Sequence, residues 1–142
     1  MPDILHKLSI AAPKDRVFRA VATREGLANW WTTTTLGDSV PGQTLTFRFG
    51  EHAVQMRVDD VQPSSRVTWE CVKAEPEWVG TQVTFDLDEA DGRTTLRFGH
   101  RQFDEASRCV PHCTTKWATF LLSLREYVET GKGRPFPHDL SI

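Results

Sequence analysis

A chain of 142 residues fits one domain, because about 100 to 150 residues is the commonest domain size and is enough to bury a sizeable core. Its 17 Lys and Arg against 19 Asp and Glu leave a formal charge of −2, and no run of five like charges occurs, which argues against a nucleic-acid partner. Nowhere do about 18 apolar residues follow one another, so no membrane-spanning helix is expected.

The opening stretch, MPDILHKLSIAAPKDR, lacks the basic start and long apolar run of a signal peptide, and a cytoplasmic setting is expected. Cys71, Cys109 and Cys113 are an odd set in such a chain and are expected as reduced thiols.

Residues 4 to 10, ILHKLSI, put Ile4, His6, Leu8 and Ile10 on one face and Leu5, Lys7 and Ser9 on the other, the alternation of a half-buried strand. Pro13 then suits the first position of a helix, where its missing donor costs nothing, and Asp15 follows in the first turn. Val17, Phe18 and Val21 form its apolar stripe. Thr23 is placed to cap a second short helix on which Leu27, Trp30 and Trp31 fall at helical spacing.

After Trp31 the period changes to two. Turn signals at Pro41-Gly42, Gly50, Pro63-Ser64-Ser65, Gly80 and Asp91-Gly92 divide the chain into at least five more strands. Their inward sets are Leu45, Phe47 and Phe49; Val54, Met56 and Val58; Val67, Trp69 and Cys71; Val83, Phe85 and Leu87; and Leu96, Phe98 and His100. One-sided antiparallel strands need a cover. The segment from Pro111 to about Thr130 supplies it, with Cys113, Trp117, Phe120, Leu121, Leu124 and Val128 three and four apart and Gly131 and Gly133 as stops. Such a helix is about 30 Å long, enough to cross the sheet.

The order predicts an α+β helix-grip fold: a curved antiparallel sheet of about six to seven strands wrapped around a long C-terminal helix, with two short helices after the first strand. Residues 1–142 are expected as one domain, with 134–142 as an extended or loosely docked tail.

Specific residues support a family resemblance. They are Ala12 to Ala20 (APKDRVFRA), Gly26 to Trp31 (GLANWW), Trp78-Val79-Gly80-Thr81 leading into Val83-Thr84-Phe85, Thr95 to His100 (TLRFGH), and Leu122 to Gly133 (LSLREYVETGKG). Over roughly residues 4 to 135 the chain resembles the SRPBCC superfamily, START-like and birch-pollen-allergen-like. Within it the chain is similar to the bacterial branch named after the activator of the heat-shock-protein-90 ATPase. The resemblance implies a shared cavity rather than a shared catalytic motif, so no catalytic residue carries over.

The cavity expected from the inward pattern is lined by His6, Trp31, Phe47, Met56, Trp69, Phe85, Phe98, His100, Trp117, Phe120 and Leu121. It lies between the sheet and the C-terminal helix and would hold a small apolar or amphipathic molecule. Neighbouring side chains on a helix diverge by about 100 degrees, so Trp30 and Trp31 cannot share a task, and Trp31 is assigned to the cavity. His6 and His100 are either core histidines or the polar handles of the site. An enzyme of cyclase, lyase or hydrolase type would use one of them for proton transfer. Cys109, His112 and Cys113 form C-x-x-H-C, but Pro111 interrupts the cluster and no fourth ligand is evident, so neither a metal nor a cofactor is expected. An adaptor working through its outer surface on a chaperone ATPase is a further reading, and dimerisation through Trp78 is left open.

Overall fold

Inward apolar residues at every second position run through the long strands of the computed structural model, which describes residues 2–75 and 77–142. The elements are β1 (Ile4–Ile10), α1 (Lys14–Ala22), α2 (Arg24–Ala28), β2 (Thr34–Leu36), β3 (Thr44–Phe49), β4 (His52–Gln62), β5 (Arg66–Lys73), β6 (Gln82–Ala90), β7 (Arg93–Arg101) and α3 (Val110–Thr130). The strands form one antiparallel sheet in the order β1-β7-β6-β5-β4-β3-β2. This is the expected α+β helix-grip arrangement.

β3 and β4, β4 and β5, and β6 and β7 are joined by short hairpins, and the local chemistry explains their register. Asp91 (φ 53°) and Gly92 (φ 74°) supply the two left-handed residues of a tight hairpin turn, which leaves Ala90 paired with Arg93. Register shifts at Gln55/Met56 and Val58/Asp60 in the β4–β5 pair add the local twist and bending that bulges bring, which helps the sheet curve.

Of the three helix starts among the described residues, that of α2 carries a side-chain cap. Thr23 accepts a 3.0 Å hydrogen bond from the Gly26 N–H at the start of α2. Gly26 lies so close to α1 that a Cβ would stand 2.7 Å from backbone atoms of Ala20, so the two helices meet through a missing side chain. Gly131 (φ 88°) ends α3 in the left-handed region, and its N–H bonds the Tyr127 carbonyl.

Three expectations shift. Pro13 is the extended N-cap of α1 rather than its first helical residue. Trp30 and Trp31 lie just past α2, which ends at Ala28, in a turn held by the Trp31 N–H on the Leu27 carbonyl. The tail is also more firmly docked than its composition implied: the Phe136 N–H bonds the Trp31 carbonyl at 2.8 Å, and the Thr33 N–H bonds the Phe136 carbonyl at 3.1 Å. Among the described residues no helix is long and apolar enough to cross a membrane.

Candidate functional site

The eleven inward residues grouped by pattern divide into two sets. Phe47, Met56, Trp69 and Phe85 are fully buried, and Phe98 and Leu121 nearly so. Their rings interlock at the middle of the molecule. Trp31 and Trp69 stack with centroids 5.9 Å apart, Trp31 meets Phe47 at 4.3 Å, Phe98 meets Trp117 at 4.5 Å, and Phe85 lies edge-on to Trp69 at 5.2 Å. At such separations the space between sheet and helix is filled by side chains.

The open volume lies at one end of this stack. It is a cleft of about 960 Å³ bounded by the first half of α3, the facing ends of β3 and β4, the segment between β5 and β6, and the C-terminal tail. Trp31, Trp117 and Phe120, from the expected set, form its floor and helix wall. Phe49, Val54, Ala74, Trp78, Cys109, Cys113, Phe136, Pro137 and Ile142 complete the apolar lining, and Glu75, Glu77, His112, Lys116, Asp139 and Ser141 add polar groups. Six aromatic rings thus face one space. Phe49 and Val54 were on the inward faces in the sequence. Trp78 and the tail carry no periodic signal, because they come from irregular segments whose position depends on what they pack against.

His100 is fully buried and does not line the cleft; it braces the cleft from behind. The Trp117 indole N–H donates to its Nδ1 at 3.0 Å, so that nitrogen is unprotonated. Nε2–H then donates to the Thr81 hydroxyl at 2.7 Å, and that hydroxyl in turn donates to the Trp78 carbonyl. Burial pushes the imidazole down to about 3, so it stays neutral and both ring nitrogens are engaged. One residue therefore ties together two cleft walls, Trp117 on α3 and Trp78 beyond β5, whose rings stack within 14°.

His6 sits apart, half-buried on β1, with Nε2 3.2 Å from the Thr114 carbonyl and 3.1 Å from the Thr114 hydroxyl. The two histidines do not converge on a shared space. All three cysteines are free thiols. Burial, the larger cause, pushes the Cys109 thiol up to about 12 and the Cys71 thiol up to about 11, so both are protonated at neutral pH. The Cys109–His112–Cys113 group lies along the cleft wall, and no cluster of three or more metal-ligating side chains occurs among the described residues.

The rim carboxylates have partners. Glu75 faces His52 Nδ1 at 3.2 Å. Glu77 accepts the N–H groups of Arg108 at 2.8 Å and Cys109 at 3.0 Å, and the Arg108 N–H above all holds its carboxyl below the ordinary range. Lys116 binds the Asp139 carboxylate and the Leu140 carbonyl, with its ammonium 5.3 Å from the Phe120 ring centroid.

Comparison with solved structures agrees with this architecture. The chain is similar to the solution structure of the Aha1 dimer from Colwellia psychrerythraea (36% identity, 94% of this chain and 100% of that one, TM-score 0.86). It shares its fold with protein SSP2350 from Staphylococcus saprophyticus (21% identity, 94% and 97%, TM-score 0.78). It is also similar to DynU16, from the dynemicin biosynthetic locus (27% identity, 92% of this chain and 48% of that one, TM-score 0.73). No curated protein matches the chain. The family described as Activator of Hsp90 ATPase homolog 1-like protein matches residues 11–129, and the chain belongs to that family.

Proposed function

We propose that the protein binds a small apolar or amphipathic molecule in the cleft between α3, the sheet end and the C-terminal tail. The observation that carries this reading is an open space of about 960 Å³ walled by six aromatic rings, within the size range of small-molecule sites. The filled interior beneath it holds Trp31 and Trp117 rigidly, so a ligand meets a preformed wall and little side-chain freedom is lost on binding. Removing apolar ligand surface from water supplies about 25 cal/mol per Å².

Ala74 lines the cleft and is half-buried, so Ala74→Trp is a plug that leaves the ring stack untouched. A neutral apolar dye should bind the intact protein and lose affinity at least about tenfold in the plugged variant at unchanged Tm, since about 1.4 kcal/mol corresponds to one factor of ten. Equal dye binding by both proteins would remove the cleft from consideration. An acid–base enzyme working through His6 or His100 gains no support from the geometry, since neither imidazole lines the cleft.

A second reading concerns assembly. A relative 36% identical over nearly the whole chain is described as a dimer, which favours self-association here as well. Light scattering coupled to size exclusion should give twice the monomer mass of 16.1 kDa, and a monomer at all concentrations would end this reading.

A further inference from the structure

Lys116 is the only lysine or arginine among the described residues that line the cleft. Its side chain is 24% exposed, and its ammonium stands over the Phe120 ring, on the apolar side of the opening. Both of its polar partners come from the last residues of the same chain, the Asp139 carboxylate and the Leu140 carbonyl. The Asp139 side chain is 10% exposed, so a carboxylate is drawn into the rim of an aromatic space and neutralised by one ammonium.

The tail leading to this contact is pinned in two stages. Arg134 N–H bonds Ser123 Oγ at 2.7 Å, and Phe136 pairs with Trp31 and Thr33, which fixes the chain up to the cleft edge. Gly133 makes that crossing tight, since a Cβ there would lie 2.5 Å from the Asn29 carbonyl oxygen. Beyond residue 138, the polar attachments among the described residues go to Lys116. Apolar Leu140 and Ile142 remain about half exposed, at 52% and 54%, and Ser141 and Ile142 line the cleft mouth. Residues 139–142 therefore rest on the opening and are held chiefly through one ion pair.

We infer that Asp139 occupies the place of a ligand's carboxylate, and that the cleft takes molecules with an aromatic or apolar body ending in a carboxylate that replaces Asp139 on Lys116 and frees residues 139–142. The inference rests on the cleft being a ligand site. The exchange keeps one charge-assisted bond to Lys116 throughout, so the ammonium is never left buried without a partner. A single ammonium suits a monoanion, and the remaining rim carboxylates are already engaged by His52 and by the Arg108 and Cys109 N–H groups. Because Asp139 is tethered, it competes at an effective concentration on the order of millimolar, which lowers apparent affinity for an external carboxylate until the tail is removed.

Calorimetric titration with 2-naphthylacetate and with its uncharged amide tests this. The acid should bind the full chain at least about tenfold more tightly than the amide. Asp139→Asn, or a chain ending at His138, should raise acid affinity several-fold further and leave amide affinity within about twofold. Lys116→Met should erase the difference between acid and amide, and so should the double variant Lys116→Met with Asp139→Asn, in which no buried carboxylate loses its partner. Equal binding of acid and amide by the full chain, or an acid preference that survives Lys116→Met, overturns the inference and leaves the cleft reading standing. Failure of both probes to bind overturns the cleft reading and this inference together.

Discussion

Trp30 and Trp31 are neighbours in the chain and belong to opposite kinds of structure. Trp30 points under α1, where its indole N–H donates to the Ala20 carbonyl at 2.8 Å and its ring meets Phe85 edge-on. There α1 and α2 press Val17, Val21 and Leu27 to full burial, and the end is closed. Trp31 stacks beside it with ring centroids 6.2 Å apart and carries the aromatic packing on to Phe47, Trp69 and Trp117, with one edge on the cleft. Its end is covered by the start of α3 and by an irregular tail. The difference teaches that aromatic residues alone do not make a cavity: paired helices over the sheet give a solid core, and a helix with a strap over it leaves an opening.

The largest expected separation between the two ends comes from truncating their tryptophans. Trp30→Ala should cost about 4 kcal/mol in urea unfolding, from the lost contacts and the space left behind. Trp78→Ala, at a half-buried ring of the cleft, should cost only about 1 kcal/mol and reduce ligand affinity about tenfold. Equal costs would erase the distinction between closed and open ends.

His100 lies behind the cleft and sharpens the comparison next. His100→Leu should cost about 2 kcal/mol at pH 7 by leaving the Trp117 N–H unpaired, and it should loosen the Trp78–Trp117 wall. The native imidazole also carries a pH signature. Between about 6.5 and about 3 the unfolded chain takes up a proton that the folded protein refuses, so this contribution to stability is complete above the upper value and is lost as pH falls through the window. Each unit of difference is worth about 1.4 kcal/mol, so as pH falls from 7 towards 4 wild type should lose its lead of about 2 kcal/mol over His100→Leu near about pH 5 and fall below the variant beyond it. A constant gap across that range would contradict a buried neutral histidine.

The smallest effect is expected on the outer face of the sheet. Arg97 and Asp88 bond at 2.9 Å with side chains 53% and 77% exposed, and Arg97→Ala should change stability by less than about 0.5 kcal/mol in the same assay. A larger loss there would mean that the sheet's outer face matters more than its packing implies.

What the sequence made legible follows from periodicity. The inward sets of all five long strands after Trp31, the cover helix and its glycine stop lie where alternation and three-to-four spacing put them. Thr34–Leu36, with three residues, is too short to show a period, and it forms a strand because β3 is there to pair with it. The tryptophan pair mimics helical spacing across a turn. Periodicity also tells inward from outward without telling filled from empty. Phe47, Met56, Trp69, Phe85, Phe98 and Leu121 are as inward as Trp31 and Trp117, and only the way the rings interleave decides which of them touch open space. Phe136 and Asp139 were beyond its reach because their positions come from polar contacts to distant residues, and Trp78 because it sits in a turn closed by its neighbours Glu75 and Thr81 and packs against the distant Trp117 ring.

The five indole N–H groups allow the division between filled core and open cleft to be read in one titration. Proton–nitrogen correlation spectra would follow Trp30, Trp31, Trp69, Trp78 and Trp117 while 2-naphthylacetamide is added. The account predicts shifts confined to Trp31, Trp78 and Trp117, with Trp30 and Trp69 unmoved. Equal shifts at all five, or shifts confined to Trp30 and Trp69, would place the ligand space elsewhere and contradict it.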